Sequence, residues 1–154
     1  YPYLMCFGGA KVKKPWRTTS NFTKKISAVC CCSADGLWLR PTMMVQRTSH
    51  DPTEGEAMSW INDRMKIIFT SSGWMTKADF LTWFSTEFVP FVQVIRCGRQ
   101  LDGRPACLVL DGHSSRYNVD VIDYARRMNI HILTLPPHTS HLFQPLDLTV
   151  FGTF

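Results

Sequence analysis

The chain has 154 residues, of which 45% are hydrophobic and 19% charged, so it can bury a core and does not have the composition of a disordered polymer. Its formal net charge is +5, and the excess lies in the first 34 residues, which contain six cations and no acid. No apolar run approaches the roughly 18 residues of a membrane span, and no apolar signal-peptide core follows a cationic start. These features argue against a membrane partner. The basic segment fits a polyanionic partner, and a solvated, solubilising loop explains the same charge equally well.

The N-terminal part predicts a hairpin after an irregular segment. Residues 1–25 show no periodicity and carry the basic residues. Residues 26–32 (ISAVCCC) and 37–45 (LWLRPTMMV) are typical of strands, and the Ala-Asp-Gly turn between them predicts an antiparallel pair. Pro41 lacks a backbone donor, which favours an edge position or a bulge for the second strand.

The middle of the chain predicts one short strand and one amphipathic helix. Residues 47–63 are polar and are expected to form a surface excursion before a strand over residues 65–69. Residues 75–88 have helical periodicity, and Thr76 with Asp79 predicts a capping box at the start of this helix.

The aromatic residues of this region are interpreted as core and not as a platform for stacking bases. They are Trp74, Phe80, Trp83, Phe84 and Phe88. Pro90 is expected to interrupt the helix, so that VPFVQVIRC forms a second helical piece.

The C-terminal part predicts a β-α-β unit. Residues 106–110 (ACLVL) are wholly apolar, as in a central strand that is buried on both faces. A helix from Asn118 to Met128 and a parallel strand over residues 130–135 complete the unit. Ligand sites in open α/β sheets lie beyond the carboxyl ends of the strands, which is where Asp111 follows the first strand.

The cysteines are interpreted as reduced, small core residues of an intracellular protein. Three of the six, Cys30 to Cys32, are consecutive in a predicted strand, where successive side chains point to opposite faces. They therefore cannot all serve one metal or one bridge, and the sequence has no C-x-x-C pair.

Two aspartates predict a site for divalent metal. Asp111 and Asp147 have 35 residues between them, and Asp147 follows a loop rich in Pro, His and Thr. Pro145 is expected near the start of a last helix that carries Asp147. Carboxylate oxygens suit hard cations, and two such ions suit the cutting and joining of phosphodiesters.

Four segments, in this order, resemble the DDE-superfamily endonuclease domain of pogo, Tigger and Jerky-type transposases. They are ISAVCCCSADGLWLRP, GWMTKADFLTWF, LVLDGHSSRY, and LTLPPHTSHLFQPLD with the LTVFG that follows it. This mariner-like group includes domesticated relatives such as centromere protein B. The resemblance covers nearly the whole chain. It implies one N-terminally truncated endonuclease domain over residues 1–154, with an α/β, ribonuclease-H-like mixed sheet that is flanked by helices and lacks its first strand.

The resemblance also implies a nuclear protein that cleaves and transfers DNA strands with two Mg²⁺ or Mn²⁺ ions held by three acids. Asp111 corresponds to the second acid and Asp147 to the third. The family's first acid precedes the basic segment, but no acid here precedes Asp35, which lies in the predicted hairpin turn. We therefore expect the first acid upstream of Tyr1, an incomplete two-ion site, and little or no DNA cleavage by this chain alone.

Further residues close to these acids are expected to orient them or to contact phosphate: His113, His138, His141 and Gln144. A purely structural role in the loop stays open for the histidines, whereas a zinc site is disfavoured because the sequence has no H-E-x-x-H motif and no Cys/His set. The residues expected to contact DNA phosphate are Lys11, Lys13, Lys14, Arg17, Lys24 and Lys25. The family's helix-turn-helix region for sequence-specific binding is not encoded in these 154 residues.

A second hypothesis is a domesticated, non-catalytic protein that retains the fold for DNA binding or assembly. The presence of Asp111 and Asp147 favours an active or recently active element. Replacement of the first acid would favour domestication. Homo-oligomerisation of the full-length protein and the DNA target stay open.

Overall fold

The structure is a computed structural model that describes residues 3–11, 26–46, 64–112, 118–136 and 146, with 3–11 and 26 described through their backbone alone. Its elements in chain order are β1 (Tyr3–Lys11), β2 (Ile26–Ser33), β3 (Trp38–Gln46), β4 (Lys66–Thr70), α1 (Lys77–Trp83), α2 (Val89–Gly98), β5 (Ala106–Leu110), α3 (Val119–Arg127) and β6 (Ile130–Thr134). A π-helical turn, Phe84–Phe88, joins α1 to α2.

The strands form one six-stranded mixed sheet in the order β4-β3-β2-β1-β5-β6. β5 runs parallel to both of its neighbours, β1 and β6, and β3 runs parallel to β4. β2 and β3 are neighbours joined by a short turn, which makes this pair antiparallel. The sheet and its helices confirm the predicted α/β class, and α3 between β5 and β6 confirms the β-α-β unit.

The contacts divide the chain into two compact units. One consists of Tyr1–Gly8, Cys31–Leu39 and Thr76–Phe154, and the other of Gly9–Cys30 and Arg40–Met75. The first unit contains α1, α2 and α3 together with β5 and β6. The second contains β4 and most of β3.

β1 corrects the expectation of an irregular N-terminal segment. Residues 3–11 form a strand, so the sheet has a strand before β2. The residue pattern predicted no strand at this place. β1 lies beside β5, with Tyr3 level with Ala106 and Cys6 level with Val109. Its sequence, YLMCFGGAK, contains no acid. An acid-bearing strand upstream of Tyr1 stays a prediction, and residues 12–25 lie outside the described residues.

The predicted hairpin of β2 and β3 is confirmed, but β3 is not an edge strand. It lies between β2 and β4, so of the two alternatives inferred from Pro41 the edge position is wrong, and the bulge stays a prediction. The pairing of β3 with β4 begins at Thr42, one residue after Pro41, so the missing proline N–H costs this ladder no bond. In the turn, Gly36 has φ 87°, a conformation that residues with a Cβ rarely adopt.

β4 confirms the short strand predicted over residues 65–69, and the excursion over 47–63 lies outside the described residues. The strand ends in a hydrogen-bonded bend. The Gly73 N–H donates to the Thr70 hydroxyl at 2.8 Å, and the Ser27 hydroxyl donates to the Gly73 carbonyl at 2.7 Å.

The capping box at the start of α1 is confirmed. The Asp79 N–H donates to the Thr76 hydroxyl oxygen at 3.2 Å, and the Thr76 N–H donates to the Asp79 carboxylate at 2.9 Å. The core of the first unit is built on the aromatic residues of this helical run. Four of the five predicted core aromatics are fully buried: Phe80, Trp83, Phe84 and Phe88. Trp74 is 37% exposed, so the core interpretation is wrong for it.

Pro90 does not end the helical run, because the turn before it has already changed its hydrogen bonding. The Val89 N–H bonds to the Phe84 carbonyl, the spacing of a π turn. Pro90 then stands in the first turn of α2, where a missing N–H is tolerated. The predicted second helical piece is thus confirmed as α2, but it continues directly from the first.

Five cysteines among the described residues form no disulfide: Cys30, Cys31, Cys32, Cys97 and Cys107. Cys31 is buried, as the core interpretation requires, but Cys97 is exposed on α2, which corrects that interpretation. Within the described ranges, no helix combines the length and apolarity needed to span a bilayer.

Candidate active site

β5 holds Asp111 on an interior strand of the sheet, next to edge strand β6. The strand is flanked by β1 and β6, and four of its five residues are buried, with Leu108 0% and Leu110 1% exposed. Asp111 follows Leu110 directly and is half-buried. A strand so enclosed fixes the position of the carboxylate at its end, and the predicted place of Asp111 at a carboxyl strand end is confirmed.

The chain that leaves β6 starts beside Asp111. The Leu135 N–H donates to the carbonyl of Leu110, the residue before Asp111, at 2.8 Å. Pro136 follows and leads toward the predicted loop. The two carboxyl ends that the sequence placed together, those of β5 and β6, therefore do lie side by side.

Most of the predicted site residues lie outside the described residues: His113, His138, His141, Gln144, Asp147, Lys13, Lys14, Arg17, Lys24 and Lys25. Lys11 is described through its backbone, as the last residue of β1. Leu146, which precedes Asp147, is helical and 1% exposed, in agreement with a helix near Pro145. The roles of Asp111 and of all these residues stay predictions.

The strand on the other side of β5 offers no carboxylate. Continued along β1, the register that pairs Cys6 with Val109 places Gly8 level with Asp111. Level residues on neighbouring strands share a face of the sheet. The β1 position next to Asp111 is therefore a glycine.

The described residues fit a metal only in part. Asp111 supplies one hard oxygen ligand, but no three His, Cys, Asp or Glu side chains gather into a ligand group within the described ranges.

Asp35 is engaged in the hairpin turn. Its carboxylate accepts a hydrogen bond from the Ser33 hydroxyl and pairs with the Arg99 guanidinium. The Ser33 hydrogen bond, more than the Arg99 charge, lowers the pKa of Asp35 below its usual range. These contacts give Asp35 a structural role in the turn, in agreement with its position in the predicted hairpin.

Arg96 fixes the opposite end of the β5–α3–β6 unit, and the sequence interpretation did not single it out. It is 6% exposed, and its Nη1 and Nη2 donate to the carbonyls of Met128 and Asn129 at 2.9 and 2.8 Å. Burial lowers the pKa of Arg96. The sequence pattern that could have indicated a buried Arg96 is its position four residues after Val92, on the apolar face of α2.

α3 connects the two parallel strands as predicted. The Asn118 side chain accepts a hydrogen bond from the Asp120 N–H at 3.0 Å and caps the helix. Val121 and Ala125 are buried, and Met128 is half-buried.

The mixed sheet and its helices, with an acid at the end of interior parallel strand β5, have the architecture of a ribonuclease-H-like α/β protein. The fold resembles that of a chain in the crystal structure of a pre-cleavage Mos1 transpososome, with a TM-score of 0.50 and 12% sequence identity. That match covers 99% of this chain and 41% of the other, and at this identity it shows the fold alone. The family model of the DDE superfamily endonuclease matches residues 23–154, and the chain belongs to this family.

A curated relative shares part of the sequence. It is described as an MFS-type transporter, clz9, from Cochliobolus lunatus, and is 32% identical over 86 residues. The aligned stretch covers 56% of this chain but 9% of that protein's length. β1 lies before the family match, which begins at residue 23.

Proposed function

We propose that this chain is the core of the catalytic domain of a pogo, Tigger or Jerky-type transposase that acts on DNA in the nucleus. The family match over residues 23–154 supports this proposal, and the observation that carries it is the place of Asp111 at the carboxyl end of interior strand β5. In this proposal Asp111 and Asp147 are two of three acids that hold Mg²⁺ or Mn²⁺. Such ions activate an attacking oxygen and stabilise the leaving oxygen of a phosphodiester.

The other candidate residues would position these groups and the DNA. His113, His138, His141 and Gln144 would orient the two carboxylates or reach a phosphate. The basic residues, Lys11, Lys13, Lys14, Arg17, Lys24 and Lys25, would neutralise phosphates without reading the base sequence. DNA binding should therefore weaken steeply as salt rises, and binding that persists unchanged in high salt contradicts these contacts.

The chain alone is expected to bind metal weakly and to cleave little or no DNA. The reason is that the first acid is expected upstream of Tyr1, and the β1 position level with Asp111 is a glycine. Adding an acid at this position is a direct test. We expect Gly8→Asp to tighten Mn²⁺ binding by roughly tenfold or more, because it adds a charged oxygen ligand beside Asp111.

Gly9→Asp is the matched control, because the next residue on a strand points to the opposite face. Mn²⁺ binding would be measured by electron paramagnetic resonance, and cleavage by nicking of supercoiled plasmid. Equal gains in the two variants would contradict the placement of Gly8. Strong Mg²⁺-dependent nicking by the unaltered chain would contradict the incomplete site.

The absence of an acid from β1 also favours the second candidate function, a domesticated DNA-binding or assembly protein. This candidate predicts salt-sensitive DNA binding by the full-length protein without cleavage in Mg²⁺ or Mn²⁺. Metal-dependent cleavage by the full-length protein, lost in Asp111→Asn, would exclude it.

A further inference from the structure

The outer edge of β6 has a defined set of backbone groups directed away from the sheet. β6 ends the sheet among the described strands, with β5 on one side. The Ala106 N–H donates to the Asn129 carbonyl at 3.1 Å, and the Leu135 N–H donates to the Leu110 carbonyl. In a parallel ladder, alternate residues bond to the same neighbour. Odd-numbered residues of this stretch therefore face β5, and the N–H and C=O groups of Ile130, Ile132 and Thr134 face outward.

Within the part of the chain that the structure describes, this edge lacks the usual protection against pairing. Edge strands that stay single commonly carry a lysine, a proline or an inward charge, or are covered by a helix or loop. β6 has the sequence IHILT, without lysine, arginine, acid or proline. Leu133 is nevertheless 54% exposed.

The helix above the edge is also apolar on its outer side. Val119 is 70% and Ile122 is 40% exposed on α3. A groove of about 350 Å³ runs between α3 and β6, lined among others by Ile122, Arg126, Ile130 and Ile132. Exposed apolar side chains beside an open strand edge form a surface suited to another strand and helix.

The charges on α3 favour a second copy of this chain as the occupant. The first half of α3 carries Asp120 and Asp123, and its last turn carries Arg126 and Arg127. All four are exposed, including the pair Asp123 and Arg126, which lie 3.6 Å apart on the helix. A helix with acids at one end and bases at the other is complementary to its own copy in antiparallel orientation, both in side-chain charge and in helix dipole. An isologous interface has this self-complementary property.

We propose that β6 is a dimer interface, in which two copies of this chain pair their β6 strands antiparallel about a two-fold axis at Ile132. Ile132 then pairs with its own copy, and Ile130 pairs with Thr134 of the other protomer. Each pair exchanges both N–H···O bonds, which uses every outward-facing group of the strand. The sheet continues from one copy into the other, and the α3 helices lie antiparallel beside the axis with Ile122 near its copy. This proposal does not depend on metal binding or cleavage.

Residue-resolved amide exchange of the purified 154-residue chain tests the pairing. Amides of His131 and Leu133 bond to β5 and should be protected at every protein concentration. Amides of Ile130, Ile132 and Thr134 should gain about tenfold or more protection as concentration rises, because they become bonded only in the dimer. Fast exchange of these three amides at all concentrations would overturn the proposal, as would protection that does not change with concentration.

A proline variant tests the same interface through the molecular mass of the protein in solution. Thr134→Pro removes an outward donor without touching the ladder to β5, and Thr134→Ser is its control. Sedimentation equilibrium should show dimers for the unaltered chain and for Thr134→Ser, and monomers for Thr134→Pro. Leu133→Lys, a charge added on the exposed face of the edge, should also give monomers and covers the case in which the proline variant does not fold.

Three results would overturn the proposed interface. The unaltered chain could stay monomeric, or Leu133→Lys could still form a dimer. The third is that the groove binds an acidic extended peptide while the chain remains monomeric. Near-ultraviolet circular dichroism of each variant would establish that monomers are folded. Metal-free buffer keeps the result independent of the proposed active site.

Discussion

β5 and β6 are neighbouring parallel strands of equal length and similar apolar character, yet they differ in how deeply their side chains are buried. β5 is enclosed between two strands, and its Leu108 and Leu110 are at most 1% exposed. β6 pairs with β5 along its length, but its Leu133 is 54% exposed. The difference shows that an apolar run specifies a strand, whereas its place in the sheet decides whether that strand positions a carboxylate or presents a surface.

The largest expected effect comes from truncating one leucine on each of the two strands. Leu108→Ala should lower the free energy of unfolding by about 2–5 kcal/mol, because it leaves a cavity in a fully packed core. Leu133→Ala should change it by less than about 0.5 kcal/mol, because its side chain already faces solvent in a single copy. Urea unfolding at low protein concentration measures both, and similar losses would show that β6 is as enclosed as β5.

An intermediate effect is expected where α2 holds the turn between α3 and β6. Arg96→Met should lower the free energy of unfolding by about 1–3 kcal/mol, because the carbonyls of Met128 and Asn129 lose their donors. Arg104→Met, at an exposed position before β5, should stay within about 0.5 kcal/mol of the unaltered chain. If the Arg96 variant is as stable as the Arg104 variant, Arg96 does not stabilise the turn between α3 and β6.

The smallest effect on the fold is expected from thiol chemistry, which compares enclosed β5 with the exposed face of α2. Burial raises the pKa of the Cys107 thiol on β5, whereas Cys97 is exposed. Iodoacetamide at pH 7.5 should therefore modify Cys97 roughly tenfold faster than Cys107, since the thiolate is the reacting species. Peptide mass spectrometry would follow both sites.

The same raised pKa sets a direction for stability against pH. Stability from the neutral thiol of Cys107 is complete below the ordinary thiol pKa of the unfolded chain. It is lost as pH rises through the higher folded value. A Cys107→Ala variant should therefore lose less stability between neutral and alkaline pH than the unaltered chain. Equal losses would show that Cys107 is not the group responsible.

Local chemistry explains which parts of the fold were predictable. Thr76 and Asp79 carry a capping box in their residue types and spacing, and ACLVL between turn signals leaves little choice but a buried strand. Asp111 could be placed at a strand end for the same reason. Pro41 was a poor guide to the position of β3. A proline loses a sheet hydrogen bond only where its missing N–H would have paired, and the pairing of β3 with β4 begins only at Thr42.

Other features depended on partners distant in the sequence. β1 gains its strand structure beside β5, about a hundred residues away, and its own sequence, with two consecutive glycines, shows no alternation. The role of Arg96 likewise depends on carbonyls more than thirty residues further on. The exposure of Trp74 and Cys97 could not be read from residue type, because both types are usually buried.

The π-helical turn at Phe84–Phe88 has a consequence for how this helical run tolerates changes in length. Buried residues recur at intervals of four along the run: Phe80, Phe84, Phe88, Val92 and Arg96. A regular α-helix advances about 100° per residue, so a spacing of four drifts by about 40° at each step. The wider π turn takes up one extra residue and so reduces the drift between Phe80 and Arg96 from about 160° to about 60°. Deleting one residue from the turn would restore regular α-helix and leave the part that follows in nearly the same orientation, whereas deleting one from α1 would rotate everything after it by about 100°. The π turn is thus the place where this helical run can lose a residue without turning Arg96 away from the turn before β6.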